Sequence, residues 1–179
     1  PTVHGPDLAL IAAANARGAT LSVVVDAKVH VEALELAGRR AGTSIPAVVE
    51  VDMAYRKLHG RVHLGVRRSP LHTASDVVRM AEHVAAHEHV RFHGVMGYEA
   101  QIAGLGDNSP FEPAMNAPKR VIRAISRSYV AELRAEIADQ LRRRSLPCPL
   151  FNGGGTGSLH TSTEEDVLTG RGGVVSMRC

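Results

Sequence analysis

The sequence predicts an α/β fold built on parallel strands, arranged as a sheet or a barrel. Three observations carry this. Short Val-rich runs alternate with longer stretches of helical periodicity. The first two runs each end in Asp, at Asp26 and Asp52, as buried parallel strands do when they emerge at a polar face. The connections are long enough for right-handed crossovers. At 179 residues the chain is one domain, below the roughly 250 residues of a complete (β/α)₈ barrel.

Each element has a local reason. Residues 6–17 open with Pro6 and Asp7, suited to a first helical turn, and Gly18 ends that helix. Residues 20–26 are a nearly all-apolar strand. Residues 28–41 carry Val31, Leu34 and Ala37 at helical spacing and stop at Gly42. Residues 47–52 repeat the strand pattern. A polar stretch rich in His and Arg then runs to Ser69, placing Lys57 in a loop. Pro70 leads into a helix reaching about His87, and 90–96 form a third strand. Residues 104–118 hold Gly and Pro breakers and read as a long functional loop. Residues 119–144 are the longest helix, with Ile122, Ile125, Tyr129, Leu133, Ile137 and Leu141 as its apolar stripe. Arg120, Arg123, Arg127 and Arg134 fall on another face, expected to be solvated. The stretch 147–155 is a strand running into a Gly-rich turn. Five or six parallel strands are expected in all.

Composition narrows the function classes. The 44% hydrophobic content includes only three Phe, three Tyr and no Trp, so the core must be Ala, Val, Leu and Ile. Disorder is excluded by that content, and a disulfide scaffold by having only Cys148 and Cys179. No run approaches the roughly 18 apolar residues of a membrane span. No signal peptide is visible, so the expected location is the cytoplasm. Pro1 in place of Met leads us to expect a missing start.

The net charge is +3, and 18 Arg outnumber three Lys. That bias could suit a phosphate-bearing partner. Interspersed Asp and Glu and scarce aromatic residues point instead to base composition, so neither nucleic acid nor membrane is the expected partner.

The chemistry-bearing residues cluster at strand ends. Gly153, Gly154, Gly155, Thr156, Gly157 and Ser158 follow a strand, and consecutive glycines let backbone N–H groups converge on an anion. A tight turn without a ligand is the competing reading. No Lys follows, so this is not a nucleotide P-loop, and the spacing is not that of a dinucleotide fingerprint. Tyr98 and Gln101 follow the third strand and should emerge on the same face as the Gly-rich turn. His59 and His63 lie after a strand end, where ligand contact or simple surface exposure both fit. His83 and His87, four apart with His89 nearby, have metal-compatible spacing but no third ligand in register. Cys148 reads as a small core residue.

Two stretches together resemble a known family. VMGYEAQIAG, followed by FNGGGTGSL, resembles the fold-type III pyridoxal-phosphate (PLP) enzymes. The branch it resembles most is the D-threonine aldolase-like, or amino acid deaminase/aldolase, group related to the alanine racemase N-terminal barrel. HGPDLALIAAA, SVVVDAKVHVEAL, VEVD and RVHLGVRRSPLH extend the likeness along most of the chain.

The resemblance implies that residues 1–179 are a partial alanine racemase N-terminal-type barrel. It would be an incomplete, TIM-like (β/α)₈ barrel lacking the first strand, the last strands and the C-terminal β domain. It implies a PLP site with phosphate held by Gly154, Gly155, Thr156 and Gly157, flanked by Gly153 and Ser158. The family's cofactor-proximal Tyr maps onto Tyr98. The Arg of its RxGV motif maps onto His63, with Arg56 or Arg67 as candidates to compensate.

The Schiff-base Lys of the family precedes anything matching this chain, and none of Lys28, Lys57 and Lys119 takes its place. The divalent metal of the aldolases is not expected, since its ligands lie in the β domain. The tail from Gly170 to Cys179 departs from the family's GSGLY-like continuation, which a shift of reading frame near Gly172 would produce.

The expected function is a fragment of a PLP-dependent D-amino acid lyase, of aldolase or dehydratase type, inactive as given. The alternatives are a non-catalytic phosphate- or PLP-binding domain and, further off, a basic nucleic-acid binder. The full-length relative would act on a small amino acid. Exposed barrel edges are expected to drive self-association.

Overall fold

The computed structural model describes residues 2–57, 62–64, 67–98 and 113–153, with side chains described outside 56–57, 62–64 and 113–124. The chain opens with helix α1 (Gly5–Ala16), whose first turn holds Pro6 and Asp7. Strand β1 (Val23–Val25) follows, then helix α2 (Lys28–Ala41). Gly42 stops α2 in the left-handed region at φ 62°, which a side chain would strain. Strand β2 (Ile45–Glu50) is buried at every position. Two short strands, β3 (Tyr55–Lys57) and β4 (Val62–Leu64), pair antiparallel. Helix α3 (Ala74–Ala85), strand β5 (Val90–Gly97), helix α4 (Pro113–Arg143) and strand β6 (Leu150–Gly153) complete the described elements.

The main sheet has the order β1-β2-β5-β6, and all three pairings are parallel. Each strand therefore lies beside the next parallel strand in the sequence, and the order never reverses. A doubly wound sheet would show a reversal, whereas monotonic winding is how a (β/α)₈ barrel is built. The helices pack on the strands through Leu8 and Ala12 of α1, Val31 and Leu34 of α2, and Val77, Ala81 and Val84 of α3, all buried. The side chains of Glu35 on α2 and His89 before β5 brace this layer, with Nδ1 and Oε1 3.0 Å apart.

Four of the expected five or six parallel strands lie among the described residues. Several expectations need correction. The polar stretch before Ser69 contains the β3–β4 hairpin, so Lys57 sits in a strand and not in a loop. Residues 113–118 are helical: Pro113 opens α4, and Pro118, read as a breaker, leaves the helix unbroken. At the sixth position Pro118 gives up one i→i−4 bond and crowds the carbonyl of Ala114, a cost that the rest of the 31-residue helix outweighs.

The apolar stripe of α4 is buried at Leu133, Ile137 and Leu141, but its start departs from the expected face. Ile125 is 46% exposed, while Ser126, Val130, Ile137 and Leu141 are buried. Arg134, placed on the solvated face, is 1% exposed.

Helix α3 starts at a capping box that explains why it begins after Thr73 and not directly after Pro70. The Thr73 hydroxyl accepts from the Asp76 N–H at 3.1 Å, and the Asp76 carboxylate accepts from the Thr73 N–H at 3.0 Å. Burial pushes the Asp76 carboxyl up, but hydrogen bonds with Thr73 and His72 and the nearby Arg79 outweigh it, leaving the pKa lowered. A carboxylate with a lowered folded pKa stabilises fully above its unfolded value, about 3.9, and loses that contribution as pH falls through the folded value. Thr73→Ala should therefore cost about 1 kcal/mol near neutral pH. Urea melts at pH 7 and pH 3 should show the gap narrowing at pH 3, and an equal gap at both would contradict the coupling.

Candidate functional site

The C-terminal ends of parallel strands collect whatever polar groups follow each strand. Here the last rung of the β5–β6 ladder pairs Gly97 with Gly153, and the rung before it pairs Met96 with Asn152. Both strands therefore stop at the same level. Tyr98 leaves β5 next to the point where the Gly-rich run leaves β6. An added Cβ at Gly97 would lie 2.2 Å from the Met53 methyl, which would have to swing aside.

A pocket of about 290 Å³ sits at this level, lined by Arg68, Met96, Tyr98, Asn152 and Gly153. Arg68 reaches it from the segment after β4. Its guanidinium lies 5.3 Å from the centre of the Tyr98 ring, within cation–π range. Arg68 Nε also donates to Glu50 Oε1 at 2.8 Å. Glu50, at the end of β2, is buried, so Arg68 supplies the charge partner that such a carboxylate needs. The Ser69 hydroxyl donates to the Glu50 carbonyl at 3.0 Å and accepts from the Leu71 N–H at 3.1 Å, which fixes the turn presenting Arg68. A guanidinium, an amide and an aromatic ring thus surround a small pocket. That set can hold a flat, anionic ligand.

The sequence-predicted residues divide clearly. Tyr98 and Gly153 come together at the pocket. His63 belongs to β4, where it is the register partner of Arg56. His59 and Gly154, Gly155, Thr156, Gly157 and Ser158 lie outside the described residues, as do Gln101 and the tail beyond Gly170. Arg67 is exposed, and its neighbour Arg68 is the arginine that reaches the pocket. Arg68, Glu50, Met96 and Asn152 were all missed from sequence. Only Asn152 carried a signal, standing directly before the glycines.

The histidines at the end of α3 do not converge. His87 Nδ1 lies 2.8 Å from the His83 carbonyl, the two rings meet edge-on at 4.9 Å, and His89 is turned to Glu35. Burial, then the nearby His87 and Lys28, lower the His83 pKa. No group of three or more His, Cys, Asp or Glu is gathered for a metal ion among the described residues. Cys148 packs against the core, and burial pushes its thiol up to about 11, the opposite of an activated nucleophile. Two strand-end aspartates hold histidines: Asp26 lies 2.9 Å from His30, and Asp52 3.7 Å from His72. A separate groove of about 300 Å³ between α1 and α2 is lined by alkyl groups and Arg40, away from the strand ends. No helix among the described residues is long and apolar enough to cross a membrane.

Known structures share this architecture. A crystal structure of D-threonine aldolase from Filomicrobium marinum matches with a TM-score of 0.70 and 21% identity, over 93% of this chain and 39% of that one. D-threo-3-hydroxyaspartate dehydratase from Delftia sp. HT23 matches with a TM-score of 0.63 and 21% identity, over 94% of this chain and 38% of that one. The chain is therefore structurally similar to fold-type III PLP enzymes, and its sheet corresponds to part of their barrel. It spans less than two fifths of the length of either enzyme. No family model and no curated protein sequence matches the chain.

Proposed function

We propose that this chain is part of a PLP-dependent D-amino acid lyase of aldolase or dehydratase type, with residues 1–179 forming a partial alanine racemase N-terminal-type barrel. The observation that carries this reading is the shared rung of Gly97 and Gly153, which brings Tyr98, Arg68 and Asn152 around one pocket at the head of the glycine run. The pocket's roughly 290 Å³ lies near the lower bound of small-molecule sites, about 300 Å³, and its lining fits a phosphorylated aromatic ring.

In this reading Gly153 to Ser158 hold the phosphate through N–H and hydroxyl donors. Tyr98 and Arg68 flank the ring, and His63 stands where relatives carry the RxGV arginine. When bound, PLP supplies an electron sink. The chain's own residues bind and orient it.

Covalent catalysis also needs an amine over the phosphate site. Lys28 begins α2, Lys57 lies in β3 and Lys119 lies in α4. None follows the strand position of the family's Schiff-base lysine, so the chain as given should bind PLP without turnover. That placement favours, for this chain, the second reading of a non-catalytic PLP- or phosphate-binding domain. The partners that follow are a small amino acid in the full-length enzyme and, through the outer edges of β1 and β6 in the described sheet, further copies of the chain.

The test is PLP titration followed by absorbance, with and without borohydride. Saturable binding competed by inorganic phosphate and removed by dialysis after borohydride is the expected result. Absence of saturable binding would overturn the cofactor reading. A stoichiometric borohydride-fixed adduct on one lysine would overturn the claim that no lysine of this chain reaches the site, and cleavage of D-threonine by the PLP-loaded chain would overturn the claim of no turnover. Salt-dependent DNA binding in place of PLP binding would favour the nucleic-acid reading.

A further inference from the structure

We infer that Arg134 is a positioning residue of this site, a charged strut joining the ends of β5 and β6. This rests on the reading of those ends as a phosphate-binding site. Arg134 lies on the buried face of α4 with Val130, Ile137, Ala138 and Leu141. Arginine is almost never fully buried unless its head group is held, because desolvating the charge is costly.

Arg134 Nη2 donates to the Gly97 carbonyl at 3.1 Å. On the other side, a Cβ at Gly153 would lie 2.2 Å from that same Nη2 and 2.7 Å from Cζ. Residue 153 must therefore be glycine for the guanidinium to keep its place. Gly97 and Gly153 are register partners. One planar group thus touches both ends of the rung that precedes Tyr98 and the glycine run.

Two consequences follow. The hydrogen bond to Gly97 fixes the strand end that carries Tyr98. The positive charge stands against the first residue of the run that would receive an anion, where a low dielectric strengthens its field. An apolar side chain would fill the same space without the desolvation cost. The contacts with Gly97 and Gly153 tie this charge to the strand ends.

The experiment uses Arg134→Met, Arg134→Lys, Gly153→Ala and the double variant Arg134→Ala/Gly153→Ala. Binding of inorganic phosphate and of PLP is measured for each, with circular dichroism to check the fold. Arg134→Met should weaken both ligands by about tenfold or more, the size of one lost charge-assisted hydrogen bond. Arg134→Lys should recover most of that loss, which a purely space-filling role would not predict. Gly153→Ala should mimic Arg134→Met, and combining it with Arg134→Ala should add little. A folded Arg134→Met that binds both ligands as wild type does would overturn the inference. If Arg134→Met does not fold, Gly153→Ala decides, and a folded Gly153→Ala that binds both ligands as wild type does would overturn it. Wild type binding phosphate but not PLP would sink the PLP reading while leaving the strut testable in the phosphate series. Wild type binding neither would overturn both.

Discussion

Gly94→Ala should cost at least about 3 kcal/mol, the upper end of overpacking effects. Gly94 sits inside β5, opposite Val48 of β2 and Leu150 of β6. A Cβ there would lie 2.0 Å from the Leu150 carbonyl oxygen and 2.8 Å from its carbon. These are backbone atoms of a paired strand, so no rotamer change relieves the clash and β6 must move. The register of β2 against β5 already shifts between Ala47 and Val48, which shows how closely this part of the sheet is fitted. Against a total stability of about 5–15 kcal/mol, the loss would lower Tm by about 6–12 °C. Gly5→Ala is the control: nothing lies within 4 Å of its added Cβ, and the change should stay within about 0.5 kcal/mol. A Gly94→Ala melt matching that control would mean β6 does not lie against β5 as described.

Arg68→Met should weaken PLP and phosphate binding by about tenfold to a hundredfold, the range for losing a charged hydrogen-bond donor. The same change strips the buried Glu50 carboxylate of its 2.8 Å partner, so stability falls as well. The side chain of Arg68 is 39% exposed, so water screens the pair and the loss should stay near the low end for a broken buried ion pair. Pairing it with Glu50→Gln separates the two effects. The double variant should regain stability, because no unpaired charge remains, yet still bind weakly. Recovery of affinity along with stability would assign Arg68 to the fold alone.

The strands and their parallel pairing were legible because Val-rich runs alternating with helices leave few alternatives. Val23–Val25, Ile45–Glu50 and Val90–Gly97 fall within a few residues of the segments their sequence suggests. The β3–β4 hairpin was not legible. Tyr55-Arg56-Lys57 has no apolar alternation, and its pairing depends on β4 lying beside it.

The site was half visible. Tyr98 and Gly153 follow directly from strand ends, whereas Arg68 does not. Arg67 and Arg68 are indistinguishable in sequence, and the turn held by Ser69 selects between them. Arg134 was misread for a related reason. Helical periodicity groups residues by face, but here the buried face takes in Ser126, Val130 and Arg134 beside the expected Leu133, Ile137 and Leu141. A polar residue at the centre of a buried face is visible only once its partner, the Gly97 carbonyl, is in place.

The central claim is that the ends of β5 and β6 receive a phosphate-bearing ligand. Amide chemical-shift mapping of the ¹⁵N-labelled chain during titration with PLP, and separately with inorganic phosphate, tests it most directly. Both ligands should shift the N–H signals of Gly153 to Ser158 together with Tyr98, and PLP should also move the Arg68 side chain. Shifts confined to the groove between α1 and α2, or saturation with neither ligand, would contradict it.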